Sequence, residues 1–268
     1  MSLFQAPPPS FLYGAGSGIV IYSLSRYLSH AILPLCPKSF QEKVANLNFG
    51  NLYHYHSLLP STVHAIVQIV GTYNMVFYGD KDVLKFDDRL FVPYGITGLG
   101  PCFYMGFFVG YLLTDTASSP SLKVLGWPYV IHHISASMCW TFCAINRVMQ
   151  HQASFLQFNE LSTVMMNIRQ VLLTAGYKSS DGIVTVVSLS FFALFAGVRV
   201  FPLPFLTYDW ITDQFGSVRD EVGWGGAGLL SLFFATNVVL QGSWFTMMVR
   251  KLVGMFGKTE KQSDGKEK

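Results

Sequence analysis

"AGLLSLFFATNVVLQGSWFTMMV", residues 227–249, contains no charged side chain. A helix rises about 1.5 Å per residue, so about 20 apolar residues cross the hydrocarbon core of a bilayer. This stretch therefore predicts a spanning helix over 227–250. Further runs of the same kind lie at 11–33, 60–79, 97–117, 127–147, 155–175 and 183–206. The first is interrupted by Arg26 and His30. The sixth holds Arg199 and ends in "FPLPF", whose prolines are expected to stop the helix. The fold class that follows is all-α, a polytopic integral membrane protein with about seven transmembrane helices.

Composition agrees. Hydrophobic residues make up 51% of the chain and charged residues 12%, against about 25% charged in an ordinary soluble domain. The net charge is +3, and the basic residues are scattered. That pattern gives no basic, aromatic-interleaved surface, so nucleic acid is not an expected partner. Cys36, Cys102, Cys139 and Cys143 lie in or beside apolar runs without a CxxC, which speaks against a disulfide framework. The opening "MSLFQAPPPSF" has no basic n-region and does not read as a cleaved signal.

The connections are short. The longest, 34–59, contains "FGNLYHYHSLLP", and 80–92 carries charges of both signs and suits an interfacial turn or short helix. Residues 207–226 read as an acidic loop and 251–268 as a cytosolic, basic, disordered tail. With the C-terminus cytosolic, Lys38, Lys43, Lys123, Lys178 and the bases from Arg250 onward share that side. Lys81, Lys85, Arg89, Arg147 and Arg219 lie opposite, a bias that favours this orientation.

Ionisable residues at membrane depth are functional candidates, because each is costly there. This chain has Asp115, the adjacent His132 and His133 in "PYVIHHISASMCW", Glu160, Arg169 and Arg199. Asp115 reads either as an interfacial carboxylate capping the next turn or as a partner for a histidine across the bundle. His132 and His133 point about 100° apart on a helix, so one can face a cavity while the other packs a neighbour. Ser135 lies one turn on from the pair, on a partly polar face. In "FNELSTVMMNIRQVLL", Glu160 and Asn167 share a face, while Arg169 lies half a turn away and pairs elsewhere or reaches the interface. Glu160 also suits a helix start. No metal site is expected. His132 and Cys143 are too far apart along one helix for a single ion, and the histidines form no clustered boxes. "GFFVG" at 106–110 and the glycines at 14, 16 and 18 read as close helix packing.

The ordered set "STVHAIVQ" at 61–68, "GYLLTD" at 110–115, "HH" at 132–133 and "FNELSTVMMNIRQVLL" at 158–173 resembles the TLC-domain family, which includes ceramide synthases and translocating-chain-associating membrane proteins. The resemblance divides the chain into an N-terminal transmembrane helix and loop (1–49), a TLC domain (50–250) and the tail (251–268). It implies a barrel of six helices in an endomembrane such as the endoplasmic reticulum, with a cavity for a lipid chain. In ceramide synthases the histidine pair and nearby aspartates are tied to acyl transfer, which would make His132 or His133 the base or acyl acceptor and Asp115 its orienting partner. The ceramide synthase pattern ends in an aspartate pair, whereas here "HHISASMCWTFCAINRV" has none.

The leading functional expectation is a protein of membrane lipid homeostasis, acting on or binding lipid, with sphingolipid or acyl-lipid metabolism as its setting. Glu160, Asn167, Arg169 and Ser135 would complete a polar pocket. The alternatives are a ceramide-synthase-like acyltransferase, with acyl-CoA as co-substrate and no other cofactor, and a transporter or cargo receptor of the endoplasmic reticulum. Membrane lipids are the expected partners, and homo-oligomerisation is left open.

Overall fold

The computed structural model describes residues 6–78, 97–119 and 126–263. Every regular element among the described residues is helical. The charged segment at 80–92 lies outside the described residues.

Helix α1 (Pro9–Ile32) starts on a proline, whose missing N–H is no loss in a first turn. Its buried face is Ser10, Phe11, Gly14, Gly18, Tyr22, Ser25 and Ser29, small or polar at nearly every position. Leu12, Ile19, Val20, Leu24 and Leu28 point outward and are exposed. This face lies on α4 (Pro101–Ser118), the most buried helix of the bundle. The glycines interlock. A Cβ on Gly14 or Gly18 would strike the Phe103 or Phe107 carbonyl oxygen, and one on Gly106 or Gly110 would strike that of Phe11 or Ala15. The backbones therefore touch, as small-residue stripes allow.

The expected loop 34–59 holds α2 (Lys38–Ala45) and the first turns of α3 (Phe49–Tyr78). Helix α5 (Trp127–Asn146) starts after Gly126 at φ 80° and ends on Arg147 in the left-handed region. The run expected at 155–175 is subdivided into the end of α6 (Gln150–Leu156), a 3-10 turn (Gln157–Asn159) and α7 (Glu160–Thr174).

Two further boundaries differ from expectation. Helix α8 (Gly182–Phe195) passes through a π turn (Ala196–Val200), and α9 (Leu203–Asp209) resumes with Pro202 at its N-cap and Pro204 in its first turn. The prolines of "FPLPF" interrupt the helix without ending it, because a first turn needs no N–H there. The expected loop 207–226 is helical too, with a second π turn (Trp210–Gln214) leading into α10 (Phe215–Ser263). Gly223 breaks that helix at φ 75°. The chain folds back there: Trp210 donates to Ser231 at 3.2 Å, and Phe192 stacks on Phe245 with centroids 5.6 Å apart. Helix α10 continues to Ser263, so the segment read as a disordered tail is helical over 251–263.

Among the described residues, the helical run Gly182–Gly254 is long and apolar enough to cross a membrane. Exposed apolar side chains occur well beyond it, at Ile66, Phe77, Ile131, Ile134, Ile168 and Val171. Buried positions meanwhile include His56, His64, Gln68, Thr72, Asp115 and Arg199. A surface of this kind is the inverse of the one water selects.

Gly106→Leu is expected to force α1 off α4 and lower the midpoint of thermal unfolding in detergent by about 6 °C or more. Gly16→Ala, with nothing within 4 Å of its Cβ, should leave it unchanged. Equal midpoints for the two variants would contradict the interlock.

Candidate functional site

Asp115 sits in the last turn of α4 and is 2% exposed. It is therefore no interfacial cap: its chain position near the end of an apolar run says nothing about the helices that cover it. Oδ1 accepts from the Tyr22 hydroxyl at 2.9 Å and the Tyr53 hydroxyl at 3.3 Å. Oδ2 accepts from the Tyr129 hydroxyl at 3.0 Å and lies 3.8 Å from His133 Nδ1. Tyr53 shares its one proton between Oδ1 and the Asp115 carbonyl, the shorter contact being to the carbonyl at 2.8 Å. Three helices thus converge on one carboxylate, and charge-assisted hydrogen bonds of this kind are the strong ones.

Thr116 donates its single hydroxyl proton to the Leu112 carbonyl at 2.8 Å, and its Oγ lies 3.0 Å from His133 Nδ1. With that proton committed, the hydroxyl accepts from Nδ1–H. His133 is then held as the Nδ1–H tautomer, and Nε2 keeps the lone pair.

The two histidines of α5 diverge as adjacent helical residues must. His133 is buried against Tyr129, ring centroids 4.0 Å apart. His132 meets the edge of Trp244 at 5.6 Å. Both line a cavity of about 470 Å³, together with Glu160, Arg199, Trp244 and Lys251. A narrower space of about 70 Å³ is lined by Phe108, Trp140, Leu230 and Phe233. His132, Glu160 and Arg199 line both.

Arg199 is carried by the π turn. Its Nε donates to the Asn159 carbonyl at 3.0 Å and to Ser162 Oγ at 2.8 Å, and Nη2 donates to Thr163 Oγ1 at 3.1 Å. These hydrogen-bond partners are neutral, and the guanidinium shares the lining of both spaces with the Glu160 carboxylate, whose negative charge acts on it.

The remaining candidates separate. Ser135 donates to the His132 carbonyl at 3.2 Å and lines the narrow space. Asn167 is fixed to α3 through Ser61 and Thr62, each at 3.0 Å, and Arg169 donates to Ser188 on α8 at 2.9 Å. These two residues join helices and do not line either space. Among the described residues no group of three or more His, Cys, Asp and Glu side chains could hold a metal ion.

Sequence reasoning did not find Tyr22, Tyr53 and Trp244, and it gave Arg199 no place in the pocket. Only Tyr129 carried a signal, one turn before His132 on the same helix. A match to the TLC domain covers residues 56–250. The chain belongs to the TLC domain family. Comparison with curated proteins and with solved structures gives no match. The TLC domain match includes Asp115, both histidines, Glu160 and Arg199, whereas Tyr22 and Tyr53 come from before it.

Asp115→Ala would leave buried tyrosine hydroxyls without their acceptor and is expected to cost about 3 kcal/mol. Tyr22→Phe should cost about 1 kcal/mol. Chemical denaturation of the detergent-solubilised protein measures both. A smaller loss for Asp115→Ala than for Tyr22→Phe would refute the cluster.

Proposed function

We propose that this TLC domain protein holds a lipid inside the membrane, its acyl chain in the larger cavity and its polar group at His132, Glu160 and Arg199, which line both spaces. The observation that carries this reading is the lining itself. The larger cavity is bounded chiefly by Leu112, Phe191, Phe195, Met247 and Met248, and its walls also carry a cation, a carboxylate and an imidazole. An apolar chamber with a few convergent polar groups suits an amphiphile with a carbonyl or hydroxyl near its head. The proposal includes a bundle of about seven spans around this cavity, in the endoplasmic reticulum, with the C-terminus cytosolic and membrane lipid homeostasis as the role.

A second reading, acyl transfer from acyl-CoA, draws on His133 with its lone pair on Nε2 and Asp115 behind it. A histidine base would take the proton of a lipid amine or hydroxyl as that nucleophile forms the new amide or ester bond. The coenzyme A thiolate would leave and take up a proton. Arg199 would stabilise the negative charge that develops on the acyl oxygen.

Native mass spectrometry of the purified protein should show a co-purifying lipid, with Arg199→Gln and His132→Ala each lowering its occupancy about tenfold or more. Supplied with acyl-CoA and a sphingoid amine, a catalyst would form product, and His133→Ala would abolish it. Lipid bound without turnover supports the first reading. An absence of bound lipid in the unmodified protein would overturn it.

A further inference from the structure

A separate cavity of about 210 Å³ lies on the Tyr22–Tyr53 side of Asp115, lined by Arg26, His30, Tyr53 and His56, with Phe49 and Leu52 at its edge. It shares no residue with the spaces around His132. Arg26 and His30 belong to α1, outside the matched TLC domain.

Arg26 is half-buried. Both of its hydrogen bonds run through Nη1, to the Tyr22 hydroxyl at 3.1 Å and the Ser57 hydroxyl at 3.4 Å. Its guanidinium lies 4.6 Å from the centre of the Tyr53 ring. Among the described residues no carboxylate pairs with it directly, and Asp115 is reached only through the Tyr22 hydroxyl. A guanidinium stays charged at any pH a protein meets, and its planar fork matches two oxygens of an oxyanion. Here the Nη2 and Nε edge of that fork is uncommitted.

The imidazoles complete the site. His30 and His56 stack with centroids 3.5 Å apart, so both rings present an edge to the same space. Ser29 Oγ gives its proton to the Arg26 carbonyl at 2.7 Å and lies 3.0 Å from His56 Nδ1, so it accepts from Nδ1–H and leaves Nε2 with a lone pair for the cavity. The site thus offers the N–H edge of the fork and a His30 ring nitrogen as donors, and the His56 Nε2 lone pair as an acceptor. A singly protonated phosphate suits both, because its free oxygens accept from the guanidinium while its P–OH donates to Nε2; an ionised carboxylate has no proton to give.

We propose that Arg26, His30 and His56 form a binding site for a phosphate group, carried by a lipid headgroup or free in solution. The apolar edge of Phe49 and Leu52 suits glycerol and acyl carbons next to such a phosphate. The site is independent of the lipid-chain cavity, and its occupancy does not depend on His132 or Arg199.

The test uses the full chain in a neutral detergent. Thermal unfolding is followed with inorganic phosphate against chloride at equal ionic strength, and with micelles containing phosphatidic acid against diacylglycerol. Phosphate or phosphatidic acid is expected to raise the midpoint by about 4 °C or more. Arg26→Gln and His30→Ala should remove that shift, and Arg26→Lys should keep part of it. A shift from phosphatidic acid alone identifies the lipid headgroup as the source. A shift from both shows that free phosphate also enters. If Arg26→Gln does not fold, His30→Ala decides, since that ring's contact is its stack on His56. No shift with either ligand, or an undiminished shift in His30→Ala, overturns the proposal.

Discussion

The contact on which the most else depends is the backbone-to-backbone seating of α1 on α4. Gly14 and Gly18 meet Gly106 and Gly110 so closely that a methyl group at any of them would strike a carbonyl oxygen of the opposite helix. Two turns on from Gly14, and one from Gly18, that seating places the Tyr22 hydroxyl 2.9 Å from Asp115. One turn further on it sets Arg26 against Tyr22. In a bilayer apolar side chains gain little by leaving lipid for each other, so helices are held by close packing and internal polar contacts. Here the two are consecutive along one face.

The buried carboxylate then acts as a clamp with separate duties for its oxygens. One takes hydroxyls from α1 and α3, and the other faces Tyr129 and His133 of α5. Because Thr116 fixes the tautomer of His133, the orientation of that imidazole depends on α4 at two successive residues. His132 is free of this network and answers to the cavity and Trp244. Two adjacent histidines thus serve different purposes, one toward the protein and one toward its contents.

Much of this was legible in the residues. The all-helical class followed from run length, and the packing meaning of "GFFVG" and the N-terminal glycines from their spacing. Adjacent helical positions diverge by a fixed angle, so a split between His132 and His133 was also readable. Other features lay beyond pattern reading. Asn167 and Arg169 had the chemistry of pocket residues but face α3 and α8. Sequence spacing places a residue on a face without saying which helix lies opposite. Tyr22 and Tyr53 gave no signal because the first sits in the middle of an apolar run and the second in the expected loop 34–59, and neither place names a partner. The prolines of "FPLPF" and the acids of 207–226 suggested a chain leaving the helix, yet prolines tolerated in a first turn let it resume.

The π turn at Ala196–Val200 has a consequence for how the last hairpin is registered. One extra residue within a turn shifts everything beyond it by about 100° around the helix axis relative to an uninterrupted α-helix. The wall formed by Phe191 and Phe195 and the later segment bearing Trp210 therefore sit out of phase by that single residue. Arg199 lies inside the shift itself, where it reaches the Asn159 carbonyl and Ser162. The alignment of the hairpin with the chamber is in this sense a matter of counting. Removing Gly197 from the turn would keep every side chain but rotate the arm carrying Trp210 away from Ser231.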